Sequence, residues 1–331
     1  MRLLTENDRA FESVERAIGE ARRSIWAEFY LIRNDETGRL FLDLLARRAR
    51  EGLEVRLLYD AFGSFWLDAG LLRGIRRAGG RAEAFLPLNP LRRRWAIHLR
   101  NHRKMVIADG EAGFTGGMNM GDEYSGRARR RGGQRHFRDT HLELRGPAVA
   151  DLAQIFAEDW YFATGEELRP SPPPAPPPGA GSVVAKLPSG PDQDQNASGL
   201  VYFSAIASAR RRCYVTSPYF IPDAGTSRAL VSAALRGVDA RVLVPGRSDV
   251  ALVGPAARSF YPQLVPAGVR VFEYQPRMLH AKTMAVDGAF SVVGSANVDM
   301  RSFRLNFEVG ALILDSGFAR DLEGRFLADL S

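Results

Sequence analysis

Two histidines and two lysines stand in one pattern that the chain carries twice. The first copy reads His102-Arg103-Lys104, then Asp109, then Gly116-Gly117-Met118-Asn119; the second reads His280-Ala281-Lys282, Asp287, then Gly294-Ser295-Ala296-Asn297. In both copies four residues separate lysine from aspartate and six separate aspartate from glycine, and Gly117 stands against Ser295. Such a set suits a phosphate diester, which is anionic and resists a neutral nucleophile. Lys104 and Lys282 would neutralise its non-bridging oxygens, and Asn119 and Asn297 would donate hydrogen bonds to them. Each preorganised donor of that kind is worth about 2.7–4 kcal/mol. A neutral imidazole can attack phosphorus and form a phosphohistidine. The second must begin protonated, give its proton to the leaving alkoxide, and take one from the incoming alcohol or water. Histidine is the side chain whose pKa allows both states near neutral pH.

Asp109 and Asp287 complete this catalytic motif, but each precedes a glycine, and Asp-Gly is a tight-turn signal. Their reading as turn and scaffold residues outweighs a chemical one. Each imidazole also needs a carboxylate on its other nitrogen to fix its tautomer. Candidates lie at similar distances downstream of the two motifs, Asp139 in Phe137-Arg138-Asp139-Thr140-His141 and Glu308 in Asn306-Phe307-Glu308-Val309. His98, His136 and His141 have no duplicated counterpart and read as ordinary residues, although His141 is near enough to Asp139 to line a site. No His-Glu-x-x-His or close-set Cys/His pattern occurs, and central lysines would repel a cation. The expected site holds no metal and needs no cofactor.

The elements that must position these groups repeat as well. Arg23–Ile32 and Arg212–Ile221 read as strands; helical stretches follow over Leu40–Arg50 and Arg228–Leu235, then strands over Val55–Tyr59 and Ala240–Val244. Each half passes through a further helix into Ala84-Phe85 or Arg270–Tyr274 before reaching its motif. Strands alternating with helices predict parallel pairing covered on both faces. The motif itself predicts a hairpin turning at Asp109-Gly110 and Asp287-Gly288, with His102 and Lys104, like His280 and Lys282, on one side of an extended segment. Gly116-Gly117 and Gly294-Ser295 would let the returning backbone approach a ligand. The expectation is an α/β fold of two pseudo-symmetric α/β/α sandwich halves, residues 1–169 and 182–331, with the active site at their interface. Residues 170–181, rich in proline, read as a semi-rigid linker.

Composition narrows the partners. With 45% hydrophobic residues the chain is globular, and a formal charge of +7 draws it to polyanions, whether nucleic acid or an anionic bilayer. The single cysteine, Cys213, excludes an intrachain disulfide and reads as a core residue at the start of a strand. No signal peptide is visible at Met1–Asp8, and no apolar stretch reaches the ~18 residues of a spanning helix. Arginine-rich stretches, Arg92–Trp95 and Arg127–Arg135, would suit contact with a membrane surface. Phe62, Phe65, Trp66, Leu86, Leu88 and Trp95 could insert beside them, but each taken singly reads as core.

The duplicated His-x-Lys-x4-Asp-x6-Gly-(Gly/Ser)-x-Asn pattern resembles that of the phospholipase D superfamily. Asn101–Lys104, Phe114–Tyr124, Arg138–His141, Ser189–Asp192, Pro218–Asp223 and Gly294–Glu308 resemble, more narrowly, bacterial cardiolipin synthases of the phospholipase D type. The likeness covers nearly the whole chain. It implies a duplicated phospholipase D fold and a two-step transfer. A phosphatidyl group would move from phosphatidylglycerol to a histidine with loss of glycerol, and the hydroxyl of a second phosphatidylglycerol would collect it as cardiolipin. By this likeness His102 is the nucleophile and His280 the acid/base, and the pseudo-symmetry makes the two nearly interchangeable. Many members begin with transmembrane helices; this chain resembles the shorter branch, implying a peripheral enzyme on the cytoplasmic side of the membrane. The acceptor stays open among phosphatidylglycerol, phosphatidylethanolamine, glycerol, another alcohol and water. The alternative is a phospholipase D-type hydrolase, or a nuclease whose basic charge serves a nucleic-acid backbone. The subfamily segments favour lipid, so no stable nucleic-acid partner is expected. A non-catalytic membrane scaffold would not need both motifs complete, and the chain carries no signature of a particular oligomeric state.

Overall fold

A computed structural model describes residues 1–87, 98–126, 136–172, 181–191 and 196–331. The chain divides into two compact units, Met1–His136 with His141–Ala180, and Phe137–Thr140 with Gly181–Ser331. Both arginine-rich stretches, Leu88, Trp95 and most of the proline-rich segment lie outside the described residues.

The first unit contains β1 (Arg2–Leu4), β2 (Ser24–Phe29), β3 (Glu54–Asp60), β4 (Arg81–Phe85), β5 (Arg100–Asn101), β6 (Lys104–Ala108), β7 (Ala112–Gly116) and β8 (His141–Arg145). Seven of these form one sheet in the order β1-β8-β7-β6-β2-β3-β4. β2, β3 and β4 are parallel, joined by helices Glu36–Arg50 and Ala69–Arg77, but β6, β7, β8 and β1 run antiparallel to their neighbours. The sheet is therefore mixed, parallel over the strand–helix alternation and antiparallel from the motif hairpin onward. The alternation stops at β4, and the short turn at Asp109 can join only antiparallel strands.

Helix Glu36–Arg50 starts where Asp35 accepts a hydrogen bond from Gly38 N at 3.0 Å, and it ends in Arg47, Arg48 and Arg50, which suit the negative end of its dipole. Phe41, Leu45 and Ala49, with Leu42 and Ala46, form its buried stripe. Phe29 meets Phe41 of this helix edge-on, whereas Trp26 stacks on Phe156 of helix Ala148–Thr164. Trp26 and Phe29 stand three apart on one strand, so they face opposite ways and the two helices cover opposite sides of the sheet.

The second unit repeats the plan with β10 (Arg212–Thr216), β12 (Asp239–Pro245), β13 (Arg270–Tyr274), β14 (Thr283–Val286), β15 (Phe290–Gly294) and β17 (Asn306–Leu314) in the order β13-β12-β10-β14-β15-β17. β9 (Val183–Ser189) pairs along β17, and the short β11 (Phe220–Ile221) pairs with β16 (Val298–Asp299). Cys213 is buried beneath helices Ala197–Ser208 and Ala224–Leu235. Its neighbour Tyr214 faces the other side and stacks on Phe326 of helix Ser316–Ala328. Burial pushes the Cys213 thiol up to about 12, so it stays protonated and serves the core, as its strand position predicts.

Both hairpins turn on an aspartate in left-handed backbone, φ 56° at Asp109 and 55° at Asp287. The Asp109 carboxylate accepts hydrogen bonds from the backbone N–H of Arg22, Arg23 and Ser24 at 2.7, 2.7 and 2.9 Å. Asp287 does the same for Arg210, Arg211 and Arg212 at 2.9, 2.8 and 2.8 Å. Each thus locks its hairpin to the start of the central strand, β2 or β10. Partial burial pushes both carboxyls up, but the three N–H bonds and the adjacent arginine outweigh it and hold them below the usual value.

A depressed folded pKa gives stability that is fully present above the unfolded value of about 3.9 and is lost as pH falls through the folded value. Asp109→Ala should cost about 2 kcal/mol in urea unfolding at pH 7, from three orphaned donors and a strained turn. The Asp109→Asn deficit should be smaller at pH 7 and should shrink further below pH ~4. A deficit that grew on acidification would contradict the clamp.

Candidate active site

In the first unit β2 and β3 end beside the motif, since Phe29 lies opposite both Lys104 and Tyr59. His102 sits in the extended lead-in to β6, held from both sides. Asn101 N donates to Asp60 Oδ2 at 2.9 Å, Asn101 Oδ1 accepts from Arg103 N at 3.0 Å, and the Asn101 amide donates to Glu28. Arg103 is buried and paired with Asp159. Lys104, fully buried, turns back to donate to the His102 carbonyl at 2.5 Å. Its ammonium lies 5.4 Å from the centre of the Tyr30 ring, which also meets the His102 ring edge-on at 5.0 Å. Glu28, in β2, is driven well above the usual range by burial and by Asp159 beside it. A lone acid inside Ile25-Trp26-Ala27-Glu28-Phe29 was the signal for this network.

The second unit holds His280 in the same extended lead-in, with Lys282 donating to the His280 carbonyl. His280 Nδ1 lies 2.6 Å from Asp139 Oδ2 and 2.9 Å from Lys282 Nζ, and Phe137 stacks on the imidazole at 5.6 Å. Asp139 follows the first motif in the chain yet serves the second histidine. Its segment is fixed by backbone bonds from Arg138 N to Met278 O at 2.8 Å and from His280 N to Arg138 O at 2.7 Å. The Arg138 guanidinium forks onto Asp329 at 3.2 and 2.6 Å.

The charges in this cluster set one another. Burial pushes Asp139 up, but His280, Lys282 and the hydrogen bonds outweigh it, so the carboxylate stays ionised below its usual range. Burial and the Lys282 ammonium push His280 down against the pull of Asp139. Burial lowers Lys282 to about 8. An ionised Asp139 accepts the Nδ1 proton and leaves the Nε2 lone pair of a neutral His280 available for chemistry.

Glu308, the other candidate carboxylate, accepts from Ser295 Oγ at 2.5 Å and from Asn306 Nδ2 at 3.1 Å, and Asp139 is the carboxylate on His280. Asn119 spends its amide locally, accepting from Leu31 N at 3.2 Å and donating to the Tyr124 hydroxyl at 3.0 Å. Asn297 is buried beside Ser302, its side-chain oxygen without a hydrogen-bond partner among the described residues. A Cβ at Gly294 would meet Gly310 Cα and Val309 O at 2.7 Å, so the glycine lets β15 close on β17. His141 pairs in β8, His98 is exposed and His136 is half-buried.

The chain matches the family described as cardiolipin synthase, phospholipase D-like domain, over residues 202–330. It is 43% identical to cardiolipin synthase A of Pseudomonas putida (strain W619), covering 99% of this chain and 68% of that protein. It is 42% identical to the cardiolipin synthase of Geobacillus kaustophilus (strain HTA426), covering 99% and 65%. The chain thus spans about two thirds of the length of these relatives. Among solved structures, the fold resembles phosphatidylserine synthase of Haemophilus influenzae (TM-score 0.73, 14% identity, 98% of this chain and 85% of that one). It also resembles polyphosphate kinase of Porphyromonas gingivalis (TM-score 0.64, 15% identity, 100% and 50%).

In histidine NMR titrations, the resonance lost in His280→Gln should titrate below the ordinary value of about 6.5. It should rise in Lys282→Met, which removes the repelling ammonium, and fall in Asp139→Asn, which removes the stabilising carboxylate. A His280 that ignored both substitutions would contradict the charge coupling.

Proposed function

The chain belongs to the phospholipase D-type cardiolipin synthases, a family of phosphatidyltransferases, and from that membership we propose that it makes cardiolipin from phosphatidylglycerol through a phosphatidyl-histidine intermediate. In the first step an imidazole Nε2 attacks phosphorus, the bond to the glycerol oxygen breaks, and the other imidazolium protonates that oxygen. In the second step the same imidazole takes the proton of the incoming hydroxyl, the new P–O bond forms, and the P–N bond breaks. His102 serves as nucleophile and His280 as acid/base, with Lys104 and Lys282 stabilising the charge on the non-bridging oxygens.

The observation that carries this reading is the buried Asp139–His280–Lys282 cluster, in which one imidazole is oriented by an ionised acid and pressed by an ammonium. Burial and Lys282 push His280 toward its neutral form. A bound diester brings negative charge that pulls the imidazole back up, so substrate binding supplies the acid that the first step consumes. Asp139 keeps the proton on Nδ1 and Nε2 turned toward substrate. Asp109 and Asp287 act through the hairpins they clamp.

The reaction takes place at a membrane surface. Among the described residues no helix is long and apolar enough to cross a membrane, and the charge of +7 favours an anionic leaflet. We place this portion of the enzyme on the cytoplasmic face.

With phosphatidylglycerol vesicles the protein should release glycerol and form cardiolipin, at a rate unchanged by chelator. Phosphatidic acid as the sole product would turn the reading into hydrolysis, and nicking of DNA without lipid turnover would turn it into a nuclease. His102→Ala and His280→Ala should each lower turnover by about a thousandfold or more. Quenching in alkaline denaturant during turnover should trap the labelled phosphoryl group on wild-type protein and none on His102→Ala.

A further inference from the structure

Phe62, Phe65 and Trp66 do not enter the core that their side chains suggest: they are 56%, 59% and 81% exposed, whereas Leu86 is buried. They stand on a tightly bonded turn. Asp60 Oδ1 accepts from Phe62 N and Gly63 N, both at 2.9 Å, and Asp60 O accepts from Ser64 N at 3.0 Å. Ser64 Oγ accepts from Ile32 N at 3.0 Å and donates to Tyr30 O at 3.2 Å. The turn is therefore anchored to Tyr30, whose ring meets His102, and to the carboxylate that holds Asn101. The aromatics project from a rigid base at the motif end of the sheet. Single exposed apolar residues are ordinary, but three large rings within five positions form a patch that water disfavours.

The repeat supplies an independent second case. β12 occupies the place in its sheet that β3 occupies in the first, and the loop after β12 exposes Val250 and, at 81%, Leu252. That loop too lies at its histidine: the charge of Asp249 is felt by both His280 and Lys282, and Asp249 is anchored by the Tyr219 hydroxyl at 2.9 Å. The two loops share no sequence, yet each presents apolar side chains at the motif end. An exposed arginine accompanies each, Arg73 one turn into the following helix and Arg247 at the loop's start.

We propose that loops 61–67 and 247–252 are membrane-docking tips, one in each unit, whose apolar side chains enter the interfacial layer of an anionic bilayer beside that unit's motif. The inference rests on the reading that the substrate is a membrane phospholipid. A tryptophan with one apolar and one hydrogen-bonding edge suits the headgroup boundary, and the flanking arginines and the positive net charge suit its anions. Docking through its tip would set each motif at headgroup depth without drawing the lipid wholly into water.

The test uses the chemistry of Cys213, which is buried and resists labelling, so a cysteine introduced elsewhere can carry an environment-sensitive dye. Phe65→Cys and Leu252→Cys, so labelled, should shift to the blue and brighten several-fold on phosphatidylglycerol vesicles. They should be quenched by nitroxide lipids bearing the spin label near the headgroup. Glu111→Cys, at the turn on the opposite end of β6 and β7, should not respond. The double variant Phe65→Ser with Trp66→Ser should bind the vesicles about tenfold more weakly or worse in sedimentation. Silent dyes at 65 and 252 on vesicles that the protein converts to cardiolipin would overturn the docking tips, as would an equal response at 111. Insertion without any cardiolipin would instead leave the tips standing and sink the transferase reading.

Discussion

Three ionisable groups, Asp139, His280 and Lys282, share a space from which solvent is almost wholly excluded. None could stay charged there alone; removing one partner from such a cluster strands the others at a cost of about 3–5 kcal/mol. The second unit is built around keeping them in register. The Arg138–Asp329 fork and the backbone bonds between Arg138 and the Met278–His280 stretch hold the carboxylate against the imidazole. The first unit meets the same problem with different parts, pairing Arg103 with Asp159 and leaving Glu28 beside them, raised by burial. Similar motifs thus rest on dissimilar supports, because a buried charge has to be answered and several side chains can answer it.

Much of the architecture was legible because it depends on neighbours in sequence. The hairpins follow from Asp-Gly dipeptides between apolar runs, and the two halves declare themselves by repetition. The aspartates behave as the turn chemistry demands, and Cys213 sits where a strand start in a buried sheet would put it. Alternating strands and helices place the parallel strands of each sheet, and the hairpins, which reverse the chain, add its antiparallel part. Gly294 also lets β15 close on β17, a need that only the packed sheet reveals.

The site itself shows the sharper boundary. Its nucleophilic and basic residues carry a spacing that can be read, whereas the Asp139–His280 hydrogen bond joins residues 141 apart and has no local signature. Asn119 has donor chemistry that fits a phosphate, and its bonds to Leu31 and Tyr124, which fix how the amide is turned, could not be read from the sequence. Phe62, Phe65 and Trp66 have the composition of core residues; only the bonded turn beneath them, set by Asp60 and Ser64, reveals that they point outward.

Phe137–Thr140 is made with the first half and packs with the second. During synthesis this stretch leaves the ribosome more than a hundred residues ahead of the Met278–His280 edge it must join. It has to wait, unpaired, while the intervening sheet is laid down. A gene cut at Gly181 would therefore yield a back half with a histidine and a lysine but no acid between them. The second copy borrows four residues from the stretch of chain that belongs to the first, so it cannot be cut away as an autonomous module.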